Sequence, residues 1–469
     1  MRFPLALLLA VAVSLTGVWL LVSTSKADGQ VANIESAIDL ASLIAKTPAG
    51  ETLNLPAGVY AGGVEIDKAI TLKGEPGTII DAFGHGSVIT INAADVVLDG
   101  LEIRGTGATI ANADSAVYAK KAPRTTVQDC VIHDALFGVY LLEAPDSVVL
   151  RNDIRSKEVR LTMRGDGVHV YQSPGTLVQG NEVREGRDII AFFSSDTRII
   201  DNKVEDGRYG LHIMYSDNVD VQGNIMFRNS TAIYVMYSRD SEIKNNVLSF
   251  SAGPSGYGMA TKESDIPLVS GNRFVGNRVG VFMDTTPFNA GKKLRFDQNV
   301  FAYNISGVLF QPSIHDTEFT GNAFIDNQEQ ISITTGGVLR GNDWTIDGVG
   351  NYWSDYAGYD RNGDGLGDIP YRAESLYDSM TDRHPKLRFF AETPAAQALD
   401  AAARAFPSLR PDPKAVDVAP LVHAPELPKI EGMPEGASRS VLAYMSILLL
   451  GLAAILVWRG TRPLGRVAT

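Results

Sequence analysis

Three side chains able to bind a soft metal ion, His212, Met214 and Met236, fall where a strand-forming sequence would set them side by side. Alternate residues of a β-strand share a face, so His212 and Met214 project together, about 7 Å apart along the chain. The phrase Leu211-His-Ile-Met-Tyr-Ser216 returns one repeat later as Ile233-Tyr-Val-Met-Tyr-Ser238. Equivalent positions on stacked strands lie about 4.8 Å apart, which makes Met214 and Met236 direct neighbours. An imidazole with thioethers suits Cu(I), a soft ion that tolerates few ligands. The same residues equally form an apolar patch that packs on a loop or a partner, and residue types alone leave both readings open. His169 shares the column of His212 two coils earlier and could join only through a larger site or a relay.

Other residues invite different chemistry. Asp360, Asn362, Asp364 and Asp368, with Gly365 at the sixth position, match the first half of a calcium loop. Tyr371 stands where an EF-hand needs Glu, so a tight Asx- and Gly-rich turn without an ion is the other reading. Asp166, Glu182, Asp188 and Asp206, accompanied by Arg184, Arg187 and Arg208, read as solvated turn charges. No strand unites a His with several carboxylates in the manner of an acid–base site. Cys130, the sole cysteine, falls on an apolar column and reads as a buried thiol.

These side chains need a scaffold, and a repeat of about 22 residues between Val168 and Trp344 supplies it. Ser173, Ser194, Ser216, Ser238 and Ser264 each precede an Asn (181, 202, 224, 246, 272) by eight positions, and Asn299, Asn322 and Asn342 continue the column. An apolar residue follows each Asn by two. The apolar runs are short, alternating, β-branched and bounded by Gly, Asn, Asp or Ser, so each repeat reads as strands and turns. Such a unit buries its apolar face only by stacking, which makes the chain an all-β solenoid, a parallel β-helix. The stacked Asn is expected in a left-handed turn, bonded to the Asn of the next coil. Leu is too sparse for a leucine-rich horseshoe, and a propeller blade needs about 40–45 residues.

The helical spacing of Ile34, Ala37, Ile38, Ala41 and Ile44 predicts a short helix over 34–45 that covers the first coil. Ile66–Ile80, Val88–Ile103 and Val117–Ile132 read as earlier coils, and Lys157–Asp166 as a surface loop. The stretch Asn351–Tyr371 reads as an aromatic lid, with Tyr352, Trp353 and Tyr356 as candidate docking anchors. Residues 1–27 read as an export signal or N-terminal anchor, 28–390 as the solenoid and 391–440 as an Ala/Pro-rich tether, in which 395–405 could form a short helix. The uncharged run 441–458 reads as a transmembrane helix, and 459–469, with Arg459, Arg462 and Arg466, as a cytoplasmic tail. The reading places the solenoid in the periplasm, tethered to the inner membrane. A net charge of −12 argues against nucleic acid as a partner.

The phrases Leu211–Ser216 and Ile233–Ser238, with Gly350-Asn-Tyr-Trp-Ser-Asp-Tyr356 and Gly363-Asp-Gly-Leu-Gly-Asp-Ile-Pro-Tyr371, resemble the NosD-type periplasmic proteins that mature nitrous oxide reductase. The resemblance spans roughly residues 28–390; the C-terminal apolar run departs from it. It implies a right-handed β-helix docked on the ATPase and permease of an ABC transporter. It further implies copper received from a lipoprotein chaperone for the copper–sulfur centre of apo nitrous oxide reductase. The combined expectation is a copper-delivering, non-catalytic protein. The alternatives are a polysaccharide lyase, epimerase or hydrolase, or a carbohydrate-binding module.

Overall fold

A computed structural model describes residues 36–391, 393–425, 444, 446–451 and 453. The segment 1–27 and the tail 459–469 lie outside these residues, as does most of 441–458. Among the described residues no helix is long and apolar enough to cross a membrane.

The chain divides into two compact units, Met1–Ser194 and Ser195–Thr469. Within each, short strands stack in three parallel sheets as a right-handed β-solenoid. In the first unit one sheet runs through Thr52–Leu55, Thr71–Gly74, Val97–Asp99, Thr126–Gln128, Val148–Leu150 and Leu177–Gln179. In the second, Arg198–Ile200, Asp220–Gln222, Glu242–Lys244, Leu268–Ser270, Leu294–Asp297 and Thr317–Thr320 do the same. The inward columns, such as Leu211, Ile233, Met259, Val281 and Val308, are wholly buried, and their side chains stack coil on coil.

The Asn column holds the turns. In the second unit the amide oxygens of Asn224, Asn246, Asn272, Asn299 and Asn322 each accept from the backbone N–H of the preceding Asn, as from Asn224 to Asn246 and from Asn246 to Asn272, both at 2.9 Å. The ladder then continues to Asn351 and not, as expected, to Asn342, whose oxygen accepts from Thr317 because the last coil is longer than the repeat. The left-handed residue is not the Asn, as expected, but the one before it: Gly223, Asn245, Gly271, Gln298 and Gly321 all have φ between 54° and 69°. That bend swings the following Asn inward, where its amide meets the next coil. A second ladder, Asn277–Asn304–Asn327, escaped the sequence reading.

Both ends depart from expectation. Among the described residues the first α-helix is Leu40–Lys46, which starts later than the expected 34–45. Asp39 caps it by accepting from Ser42 N–H, whereas Ile38 is spent on a parallel bridge to Tyr60. The buried face is therefore Leu40 and Ile44, with Ala41 exposed. The Lys157–Asp166 loop carries a short 3-10 turn, Leu161–Met163.

At the other end the supposed tether is packed as far as Leu421. The helices Leu376–Arg383 and Pro394–Ala405 lie against each other, and Val416–Asp417 pairs with Tyr371–Arg372. The helix foreseen at 395–405 is thus part of a cap, not of a free linker. Asp417 accepts from Trp353 Nε1 (2.9 Å), Asn351 N–H (2.7 Å) and Thr345 Oγ1 (2.7 Å). Trp353 is buried and stacks between Phe324 (4.3 Å) and Tyr371 (4.2 Å), so it closes the last coil and offers no docking surface. Lys414 pairs with Asp382 (2.7 Å), and Arg388 with Glu329 (2.9 Å).

This cap carries a pH signature. Burial first, and the Glu329 charge second, push the Asp378 carboxyl up to about 7. The unfolded value is about 3.9, so the contribution of Asp378 to stability is complete below that pH and is lost as pH rises through about 7. Asp378→Asn, which cannot ionise, is expected to gain in melting temperature relative to the parent as pH goes from 5.5 to 8. Parallel melting-temperature profiles for the two proteins would refute it.

Candidate functional site

Strand pairing between Tyr209–Met214 and Thr231–Met236 sets His212 beside Tyr234 and Met214 beside Met236. The inward turn of Leu211, Ile213, Ile233 and Val235 forces the alternate residues outward. The outward face is nonetheless closely covered, with His212 only 7% exposed. Its Nε2 lies 3.3 Å from Met236 Sδ. An ion bonded to an imidazole nitrogen and a sulfur at about 2.0–2.3 Å holds those two atoms roughly 3–4 Å apart, so the pair is close to ligating geometry.

Aromatic rings wall the cluster. Tyr209 meets His212 edge-on (5.1 Å, 76°) and carries the Arg208 guanidinium on its ring at 4.3 Å. Tyr234 packs at 5.5 Å from Tyr209; burial first, then neighbouring Tyr209 and Asp284, raise its hydroxyl to about 12. Tyr215 and Tyr237, each one residue beyond a Met, stack at 4.9 Å. Lys262, next in register after Met236, reaches 5.7 Å from the Tyr237 ring. Neutral donors are thus rimmed by aromatic rings and two cations.

The remaining candidates fall elsewhere. His169 lies in the first unit, where its Nδ1 is 2.6 Å from Asp166 Oδ2 and its ring stacks on Tyr140 at 4.2 Å. Asp166 and Asp188, read as solvated turn charges, are 5% and 2% exposed: Asp166 is bonded to His169, and Asp188 opens the strand Asp188–Phe192. The sequence reading therefore missed an Asp–His pair whose signal was the spacing Asp166-x-x-His169. Asp206 does follow the surface pattern, paired with Arg228.

The acidic turn spends its carboxylates on its own backbone. Asp360 accepts from Gly363 and Gly365 N–H (2.7 and 2.8 Å), Asp364 from Leu366 N–H (2.9 Å) and Asp368 from Arg361 N–H (2.7 Å). Asn362 bonds to Asp364. These are the bonds of an Asx-rich turn. Among the described residues no three His, Cys, Asp or Glu gather as a metal site. Cys130 is buried, and burial pushes its thiol up to about 12, out of nucleophilic range.

Met226 and Met259 are fully buried core residues. Tyr352 is half-buried in the short strand Tyr352–Trp353, and Tyr356 donates to the Ile369 carbonyl (2.6 Å). A cavity of about 860 Å³ opens beside Tyr356, and Asp355 in its wall accepts from Tyr371 and Gln330.

Comparison with known proteins gives a consistent picture. The model of the periplasmic copper-binding protein family NosD matches residues 150–358. A relative from Pseudomonas aeruginosa, named "Probable ABC transporter binding protein NosD", is 34% identical over 79% of this chain and 88% of its own. One of the same name from Stutzerimonas stutzeri is 31% identical over 81% of this chain and 88% of its own. Among solved structures, the A-module of the Azotobacter vinelandii mannuronan C-5 epimerase AlgE6 superposes with a TM-score of 0.52 at 14% identity. It covers 67% of this chain and 96% of that module, a likeness of fold alone.

Proposed function

The chain belongs to the NosD family of periplasmic copper-binding proteins, and from that premise we propose that it carries Cu(I) on His212, Met214 and Met236 for an ABC transporter. The observation behind this reading is the 3.3 Å approach of His212 Nε2 to Met236 Sδ, with Met214 in register beside it. Two thioethers and an imidazole form an uncharged, soft donor set that prefers Cu(I) to harder ions. Lys262 and Arg208 at the rim sharpen that preference, because nearby positive charge repels a divalent ion about twice as strongly as a monovalent one.

The transporter partnership follows from the name of the two relatives, and copper as cargo from the family description. On this reading a lipoprotein chaperone supplies the ion, and the recipient is the copper–sulfur centre of nitrous oxide reductase. The apolar run 441–458, with its following Arg residues, tethers the protein to the inner membrane with the solenoid in the periplasm. The protein is a binding protein and not a catalyst.

Purification from detergent-solubilised membranes is expected to bring down an ATPase and a permease. Truncation before Ser440 is expected to release the solenoid into the periplasmic fraction once the N-terminal segment has been cleaved. A monodisperse protein without companions that cleaves or epimerises a polysaccharide would overturn the proposal in favour of an enzyme.

A further inference from the structure

The Asp166–His169 pair has no part in the cluster of the second unit, yet it is built with care. Asp166 closes the Lys157–Asp166 loop and enters the strand Val168–Tyr171 that carries His169. Its side chain is 6% exposed; Oδ2 binds His169 Nδ1 at 2.6 Å, and Oδ1 is buried with no hydrogen-bond partner. A buried carboxylate with one oxygen unbonded costs stability, so packing does not account for it.

What it does is orient the ring. A carboxylate on Nδ1 takes the N–H there, which leaves the lone pair on Nε2 and makes that nitrogen the stronger ligand. Tyr140, stacked at 4.2 Å and 10°, holds the ring plane, and Phe137 and Tyr171 bracket it edge-on at 6.2 Å each. Nε2 itself has no protein partner among the described residues.

A carboxylate bonded to the far ring nitrogen is how a histidine is prepared for a metal, but here there is one ligand in place of three or four. Among the described residues no cluster of His, Cys, Asp or Glu completes it. A lone imidazole keeps a soft ion only while another molecule supplies the second ligand. We propose that His169, positioned by Asp166, is a landing ligand at which copper is shared with its donor during acquisition. The inference rests on the copper-carrying reading and extends it from storage to uptake. A landing ligand changes the rate of acquisition; a storage ligand changes the affinity.

The full chain in detergent, mixed in a stopped-flow instrument with the Cu(I)–bicinchoninate complex, separates the two. Asp166→Asn and His169→Gln are each expected to slow Cu(I) uptake about tenfold, with the final stoichiometry and the competition Kd unchanged. The Gln variant keeps an N–H for Asp166 and removes the ring nitrogen, so it guards against a mere folding defect, which a melting curve monitors. Sub-stoichiometric Ag(I) is expected to shift the His169 ring signals in NMR spectra of the parent and not those of Asp166→Asn. Uptake rates equal to the parent's in both variants would overturn the landing role and leave copper carriage standing. A parent that takes up no Cu(I) would overturn both. Polysaccharide turnover abolished by both variants, with copper uptake unaltered, would reassign the pair to acid–base chemistry.

Discussion

Replacing Met214 and Met236 together by Leu is expected to weaken Cu(I) binding more than about tenfold, a loss above about 1.4 kcal/mol, while barely altering stability. Leu preserves the volume and apolarity of Met, and such exchanges cost less than about 1.5 kcal/mol even in cores. Both side chains here are only half-buried, so the cost is smaller still. What the exchange removes is the sulfur that faces His212 Nε2 and the one beside it in register. Competition against a Cu(I) chelator reads the affinity, and a thermal melt controls for folding. An unchanged Kd in the double variant would remove copper from this face and leave the patch as a packing or docking surface.

The largest loss of stability is expected at the Asn ladder. Asn272 accepts from the backbone N–H and side-chain amide of Asn246, and donates to the carbonyls of Ile243 (2.8 Å) and Ser270 (3.0 Å). It also bonds to Asn299 on the next coil. Asn246, Asn272 and Asn299 are wholly buried, and all of these bonds except the one to the part-buried Ser270 carbonyl are shut away from water. Asn272→Ala leaves several polar atoms unpaired at about 1–3 kcal/mol each, so a net destabilisation of roughly 3–5 kcal/mol is expected. Gln222→Ala, on an exposed strand position, is expected to stay within about 0.5 kcal/mol. Urea denaturation of the two variants side by side gives the comparison, and equal midpoints would show that the ladder is not a main source of stability.

The sequence by itself determined the coil. The 22-residue return of Asn and apolar positions leaves only a stacked arrangement, and strand alternation then dictates that Met214 lies beside Met236 and that Met226 and Met259 point inward. It also carried the family resemblance, through Leu211–Ser216, Ile233–Ser238 and the Asn-Tyr-Trp-Ser-Asp-Tyr segment. Periodicity, however, describes a backbone and not the aim of a side chain. That His212 turns its Nε2 onto Met236, on the neighbouring coil, is a rotamer settled by the packing of Tyr209 and Tyr234. That Asp166 meets His169 depends on how a loop of irregular sequence re-enters the sheet. The C-terminal cap was the least legible part. Ala- and Pro-rich composition suggested a tether, but Asp417 binds Trp353, 64 positions earlier, and Lys414 binds Asp382. Composition reports only what a segment can do alone; its fate here is decided by buried donors elsewhere in the chain that need an acceptor, and only the folded structure brings the two together.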